Sequence, residues 1–412
     1  MLSVNQAEST IINLVQQPKN TEIVTLKDAS NRILASPIVS QFNFPYWDNS
    51  AMDGYAVRYE DVKNCDENNW VNLTIVAEIP AGSQPTVIIK PGQAARIFTG
   101  AMLPEGADTI VKQENTQRTE NKVIIRNSVK FQEFVRKKGS FCQVNTPLLP
   151  AGIRLGAAEI AVLATAGYRE CLVYSRPRVA ILSTGNELVE PGESLQPGKI
   201  IDSNQFALAS FVTLNGAITL NMGIVPDSPL ALKKTITEAL ASADIILSTG
   251  GVSVGDYDYV DSTLQELGGD IQLTSVAIKP GKPLTVATFP RQNSSQPPCL
   301  YFGIPGNPVS ALVSCWRFVQ PALKKLSGLT EEYLPTFVQA TTNYNLTASG
   351  TRETYLWGKV KFVNGNYEFN LASGSHNSAN LINLAQTNAL AIVPVGTKSI
   401  AKGKKVKVML IN

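Results

Sequence analysis

Val179-Ala180-Ile181-Leu182-Ser183-Thr184-Gly185-Asn186-Glu187 is the stretch on which the fold turns. Its apolar residues follow one another without alternation, as in a strand buried on both faces, and the chain leaves that strand through a glycine. The same texture returns downstream in Ile245-Ile246-Leu247-Ser248 and from Leu300 to Ile304, with a further strand expected near Ile218 to Ile224. Helical stretches separate and follow these runs. One is capped by Ser203 and reaches Leu214, and one opens at Asp227 or Ser228 and reaches about Leu240. Another follows Asp258, and the last runs from Pro308 to about Leu326. Strands alternating with helices of this length predict a mostly parallel α/β sheet over residues 178–328, covered on both faces. Ligands of such sheets sit beyond the carboxyl ends of the strands.

Upstream of this region, Ile11, Ile12, Leu14 and Val15 make a helical stripe. A second short helix is expected after Thr25, carrying Leu26, Ala29, Ile33 and Leu34, and Phe44 to Tyr55 reads as loop. Short β-branched runs broken by Gly and Pro, including Leu73 to Ala77, Val87 to Ile89, Ala94 to Phe98, Thr109 to Lys112 and Val123 to Ile125, predict a small N-terminal β module. Beyond Ser327-Gly328, runs at Thr336 to Thr341, Tyr355 to Phe362, Tyr367 to Leu371, Leu390 to Val395 and Lys405 to Leu410 predict a C-terminal β domain.

Composition narrows the function classes. With 412 residues the chain has room for two to four modules. A hydrophobic share of 44% against 17% charged residues is that of a soluble globular protein. Lys and Arg number 36 and Asp and Glu 33, so the net charge of +3 gives no reason to expect nucleic acid or a membrane as partner. The five cysteines show no zinc-ligand spacing, and their odd number argues against a closed disulfide framework; reduced thiols in a cytoplasmic protein are expected. Neither a signal peptide nor a membrane span is apparent. The one histidine, His376, leaves acid–base chemistry mainly to carboxylates and lysines.

Four loops at the predicted strand ends carry chemistry. Ser183-Thr184-Gly185-Asn186-Glu187 offers a close-approach glycine and a carboxylate. The segment Ser248-Thr249-Gly250-Gly251-Val252-Ser253-Val254-Gly255-Asp256-Tyr257-Asp258 offers backbone N–H groups for phosphate and two aspartates for a hard cation. Lys279-Pro280-Gly281-Lys282-Pro283 sets two ammonium groups about a rigid turn. In Gly303-Ile304-Pro305-Gly306-Asn307-Pro308, Asn307 is a natural N-cap and Pro308 a natural first helical residue. Taken singly each loop reads better as structure: a tight turn, a helix cap, a solvated hairpin. At one sheet edge, they describe a site for a polyanion with Mg²⁺. In the N-terminal half, Asp48-Asn49-Ser50-Ala51-Met52-Asp53-Gly54-Tyr55-Ala56 and Arg96-Ile97-Phe98-Thr99-Gly100-Ala101 read from physics alone as a turn and a strand end.

In their order, Ser-Ala-Met-Asp-Gly-Tyr-Ala, Phe-Thr-Gly-Ala, Ser-Thr-Gly-Asn-Glu-Leu, Gly-Gly-Val-Ser-Val-Gly-Asp-Tyr-Asp, Ile-Lys-Pro-Gly-Lys-Pro and Pro-Gly-Asn-Pro-Val-Ser resemble the MoeA-type molybdopterin molybdotransferases, the family of gephyrin's C-terminal part. The resemblance spans nearly the whole chain. It implies four domains: an elongated dimerisation domain at 1–44 and 140–177, the β module at 45–139, the α/β molybdopterin-binding domain at 178–328, and a C-terminal β-barrel at 329–412. It further implies a homodimer with a cleft between subunits. The implied reaction places molybdenum from molybdate on adenylylated molybdopterin, with Mg²⁺ and release of AMP. A molybdopterin adenylyltransferase and apo-molybdoenzymes are the implied transient partners.

Carried over residue by residue, the resemblance gives catalytic roles to Asp53, Glu187, Asp258, Lys279 and Lys282, and metal ligation to Glu187, Asp256 and Asp258. Substrate contacts are implied for Thr99, Gly185, Asp227, Thr249, Gly250, Gly251 and Ser253, for Pro305, Gly306, Asn307 and Pro308, and for Arg352, Ser375 and Ser378. Two departures stand out: Ser140-Phe141 replaces a usual acidic pair, and Asn186 stands where aspartate is common. A non-catalytic molybdopterin carrier or scaffold is the first alternative, favoured by those lost carboxylates. A nucleotide-pyrophosphate hydrolase of the competence-damage-inducible type, sharing the α/β domain, is the second, and the Asp53 segment and C-terminal domain disfavour it.

Overall fold

The computed structural model describes residues 1–66, 68–250, 260–291 and 296–411. They form two compact units. One comprises Met1–Ser36, Ala151–Gly156 and Glu170–Asn412, the other Pro37–Pro150 and Ala157–Arg169.

The first unit is built on six strands: β1 (Arg178–Thr184), β2 (Ile218–Val225), β3 (Ile245–Thr249), β4 (Asp270–Ser275), β5 (Pro283–Phe289) and β6 (Cys299–Ile304). Their order is β2-β1-β3-β6-β5-β4. The first four are parallel, and β5 and β4 add antiparallel at the edge. Burial on both faces follows from strand alternation. Val179 and Ile181 pack with Leu208, Phe211 and Val313 on one side, while Ala180 and Leu182 pack with Leu232, Ile236 and Leu264 on the other. The covering helices are Asn204–Leu214, Pro229–Ser242, Val260–Glu266 and a longer one starting at Pro308. That last helix is not uniform. Between Pro308–Ser314 and Gln320–Leu326 the segment Cys315–Val319 winds as a single π turn, which turns Arg317 into the interior.

Ser3 and Gln6 form a capping box for the helix Val4–Leu14, whose Val4, Ala7 and Ile11 are buried in the same core. The short helix expected after Thr25 does not form. Thr21–Thr25 is instead a strand antiparallel to Glu170–Tyr174, and turns follow it. Ile33 and Leu34 satisfy their backbones by bridging Arg154 and Val173, which requires an extended chain rather than a helical turn.

The C-terminal strands β7 (Phe337–Thr342), β8 (Glu353–Val363), β9 (Asn366–Leu371), β10 (Ala389–Val393) and β11 (Lys405–Leu410) close into a five-stranded barrel, because β8 pairs with both β9 and β10. Closure leaves no free edge in the ring. The short strand Ile278–Lys279 joins β8 in parallel, tying the lysine turn to the barrel.

The second unit is a six-stranded β module in the order Thr109–Lys112, Gly54–Val57, Gln93–Ile97, Val71–Ile79, Lys122–Ile125, Thr116–Thr119. The stretch expected as loop between Phe44 and Tyr55 holds Asn49–Ser50 and the start of Gly54–Val57 as strands. Gly54 is required there, since a Cβ would sit 2.0 Å from the Val111 carbonyl oxygen. Of the run Val87 to Ile89 only Ile88 makes a bridge, to Glu105. Among the described residues no helix is long and apolar enough to cross a membrane.

Candidate functional site

At the carboxyl ends of β1, β3 and β6 the first unit opens into a cavity of about 1100 Å³. Each wall comes from a strand end or helix start. β1 delivers Thr184 and Glu187, β3 delivers Thr249 and Gly250, and β6 leads into Pro305, Gly306, Asn307 and Pro308. The turns lie close. A Cβ on Gly250, whose φ is +85°, would stand 2.3 Å from the Thr184 carbonyl oxygen. On Gly306 a Cβ would stand 3.6 Å from Gly250 Cα. Asn204 Nδ2 donates to the Gly306 carbonyl at 2.7 Å and holds that turn against the start of the helix Asn204–Leu214.

Positive charge gathers in the same cavity. Lys279, Lys282 and Arg352 all line the cavity. The two lysines are exposed and make no ion pair or side-chain hydrogen bond among the described residues. Gly281 between them has φ +102°, and a Cβ there would meet the buried Ser314 hydroxyl at 2.9 Å, so the turn is pressed onto the helix. Arg352 Nη1 donates to the Ile278 carbonyl at 3.2 Å, which leaves its remaining donors for an anion. Ser378 lines the same cavity, and its carbonyl accepts from the Val309 N–H at 3.1 Å, fastening that loop to the first turn of the helix.

The structure thus brings together Glu187, Thr249, Gly250, Lys279, Lys282, Pro305 to Pro308, Arg352 and Ser378. Other expected residues stand beside the cavity. Gly185 keeps room for the Glu187 carboxylate, which a Cβ would approach to 2.6 Å. Asp227 accepts from the Asn186 N–H at 3.0 Å while Asn186 Oδ1 accepts from the Asp227 N–H at 3.2 Å. Asn186 therefore clasps the ends of β1 and β2, and its amide oxygen does what a carboxylate oxygen would do. The Ser375 carbonyl accepts from Asn380 and Asn383, so that residue shapes the loop rather than the wall. Gly251, Ser253, Asp256 and Asp258 lie outside the described residues. The Asn307 side chain makes no cap hydrogen bond, so its amide is left to the cavity.

Sequence reasoning missed part of the lining. Asp202 is 3% exposed, accepts from the Gln205 N–H through Oδ1 at 3.2 Å, and has no partner for Oδ2 among the described residues. His376 also lines the cavity; its Nε2 lies 3.0 Å from the Ala372 carbonyl, its ring lies 4.4 Å from that of Trp357, and its Nδ1 has no partner among the described residues. Burial pushes the His376 pKa down, so the ring is neutral. A capping Asp-Ser-Asn ahead of a helix was the available signal for Asp202; for His376 it was the Gly374-Ser375-His376-Asn377-Ser378 stretch, which resembles an anion-contacting segment.

In the second unit the two N-terminal motifs meet. Asp53 Oδ1 accepts from both the N–H and the hydroxyl of Thr99, each at 2.7 Å. These bonds, the hydroxyl's first, hold the Asp53 carboxyl below its usual range. Phe141 is 63% exposed and lies with Phe44, ring centroids 5.6 Å apart, in a cluster that includes Tyr46, Trp47 and Phe42. An aromatic contact thus occupies the position where the sequence lacks its expected carboxylate. Among the described residues no group of three or more His, Cys, Asp and Glu side chains stands ready to hold a metal.

Comparison with known proteins agrees with this layout. The MoeA N-terminal region (domain I and II) matches residues 2–167, the probable molybdopterin binding domain residues 180–325, and the MoeA C-terminal region (domain IV) residues 339–411. A molybdopterin molybdenumtransferase of Nostoc sp. is 54% identical over 412 residues, covering 99% of this chain and 94% of its own. One from Haemophilus influenzae is 34% identical over 371 residues, covering 90% and 87%. The crystal structure of the molybdopterin biosynthesis MoeA protein from Pyrococcus horikoshii superposes with a TM-score of 0.84 at 27% identity, covering the whole of both chains. With three family regions in order and a relative at this identity along its whole length, the chain belongs to the MoeA family of molybdopterin molybdenumtransferases.

Proposed function

We propose that this chain inserts molybdenum from molybdate into adenylylated molybdopterin, with Mg²⁺-dependent release of AMP, in molybdenum-cofactor biosynthesis. One observation carries the reading. Two lysines without ion-pair partners among the described residues and an arginine with spare donors line the same cavity as the glycine turns of Gly250 and Gly306. That arrangement suits a substrate that is phosphorylated at one end and reacts with an oxyanion. Lys279, Lys282 and Arg352 bind molybdate through charge-assisted hydrogen bonds. Thr249, Gly250, Gly306, Asn307 and Ser378 orient the phosphorylated pterin, and Pro305 and Pro308 keep the turn between β6 and its helix rigid.

The Glu187 carboxylate lines the cavity with no ion pair or side-chain hydrogen bond among the described residues, and so fits a hard cation. With Asp256 and Asp258 it would hold Mg²⁺, an ion that usually keeps several waters and takes only one or two carboxylates. When bound, the ion neutralises phosphoryl oxygens. In the homodimer we propose, Asp53 and Thr99 of a second copy complete the cleft. The four-domain division at 1–44 with 140–177, 45–139, 178–328 and 329–412, a cytoplasmic location, and transient docking of an adenylyltransferase and apo-molybdoenzymes belong to the same proposal.

The test is AMP release from adenylylated molybdopterin and Mg²⁺, with and without molybdate. Molybdate-dependent release, lost in Lys279→Ala and Asp258→Ala, supports the transferase. Tight pterin binding without release under any oxyanion refutes it and leaves a carrier.

A further inference from the structure

A buried polar relay adjoins the wall that carries Arg352 and Lys279, and its Tyr355 reaches the cavity lining. Arg317, in the π turn Cys315–Val319, has a side chain 3% exposed. Its Nη1 pairs with the Glu8 carboxylate of the N-terminal helix, and its Nε donates to the Tyr355 hydroxyl at 3.1 Å. Tyr355, 1% exposed, in turn donates to Glu353 Oε1 at 2.6 Å. Burial, together with the Glu353 carboxylate, pushes the Tyr355 phenol up, so it stays a neutral donor. Glu353 and Thr354 are the residues of β8 that pair with Ile278 and Lys279, and Arg352 immediately precedes them.

We propose that Tyr355 is a positioning residue for the oxyanion site: the relay Glu8–Arg317–Tyr355–Glu353 fixes the start of β8 against Ile278–Lys279 and so sets where Arg352 and Lys279 stand. Stability alone explains the relay poorly. A buried arginine with carboxylates is often no more stabilising than apolar residues of the same volume, whereas its directional bonds specify one arrangement. The members are also distributed tellingly. The helix that bears Arg317 begins at the cavity with Pro308, the strand that bears Tyr355 begins beside Arg352, and Glu8 closes the far end. The inference rests on the reading that Arg352 and Lys279 bind molybdate.

Tyr355→Phe removes the hydroxyl and keeps the ring. On the full-length protein, molybdate affinity by calorimetry, the molybdate KM and kcat of AMP release, and the thermal midpoint are compared for wild type, Tyr355→Phe, Arg352→Ala and the double variant. A coupled pair predicts that Tyr355→Phe weakens molybdate binding about 3- to 10-fold and raises KM with kcat within about twofold, while the loss in the double variant is smaller than the product of the two single losses. Glu8→Gln, which keeps the side-chain shape, shifts KM in the same direction. The proposal is overturned if Arg352→Ala weakens binding but Tyr355→Phe does not, if the two effects multiply, or if only the thermal midpoint moves. If Arg352→Ala itself leaves molybdate binding unchanged, the reading of the cavity fails, and the inference with it.

Discussion

Gly250 and Gly306 lie on adjacent turns, yet alanine should affect them very differently. At Gly250 the backbone is left-handed, with φ +85°, and the added Cβ would stand 2.3 Å from the Thr184 carbonyl oxygen and 2.8 Å from its Oγ1. An L-residue in that region costs about 1–2 kcal/mol. Relieving overlap with backbone of a neighbouring strand adds about 1–3 kcal/mol. Gly250→Ala is therefore expected to lose about 2–5 kcal/mol of stability, the sum of those two costs. Gly306 has no positive φ, and its added Cβ would meet Gly250 Cα at 3.6 Å, an ordinary contact. Gly306→Ala should stay within about 1 kcal/mol of wild type, helped by the smaller entropy of its unfolded chain. The assay is thermal unfolding followed by circular dichroism. At about 2–4 °C per kcal/mol, Gly250→Ala should lower the midpoint by roughly 4–20 °C. Equal midpoints for the two variants, or a larger loss at Gly306, would refute the geometry of these turns.

Lys279→Ala should weaken molybdate binding about 10-fold, the lower end expected for a hydrogen bond to a charged group, because the lysine is exposed; titration calorimetry at two salt concentrations checks it, with the wild-type advantage shrinking at high salt. Thr99→Val removes the hydroxyl that contributes most to lowering the Asp53 pKa, so that pKa should rise, visible as an upward shift of the acid limb of the pH–rate profile. Burial lowers the His376 pKa, so the unfolded chain binds the extra proton first; stability should fall as pH drops below about 6.5, and His376→Gln should flatten that slope in urea titrations between pH 5 and 7. Asn186→Asp keeps the acceptor for the Asp227 N–H and should leave AMP release within about threefold of wild type, whereas Asn186→Ala, which removes a net hydrogen bond of about 1 kcal/mol, should fall further.

The α/β sheet was legible because β1, β3 and β6 are buried on both faces and show as unbroken apolar runs. β4 and β5 were not. Thr285 and Thr288 interrupt the apolar run of β5, and β4 carries Asp270, Gln272 and Thr274 on its edge position. The helix expected after Thr25 was misjudged for another reason. Its apolar spacing fits a helical stripe, but the bridging partners Arg154 and Val173 lie more than a hundred residues on in the sequence, and no local pattern announces them. At the site, glycines and lysines announced themselves by turn chemistry. Asp202 did not, since it becomes a lining residue only when a distant element packs beside it. The π turn at Cys315–Val319 was read as ordinary helix, because its apolar spacing differs little from that of an α-helix.

The division of the chain has a consequence for its synthesis. The unit holding the cavity is assembled from three separate pieces, and the first of them, Met1–Ser36, is made long before its partners. The helix Val4–Leu14 buries Val4, Ala7 and Ile11 in a core completed by Phe318 and Leu323. At roughly 5–20 residues per second, about 15–60 s separate translation of that helix from translation of its packing surface. Throughout that interval the nascent chain trails an apolar stripe with nothing native to cover it, while the intervening β module has all its own strands and can fold. The N-terminal helix thus has its native cover only once the last helix of the α/β sheet has been made.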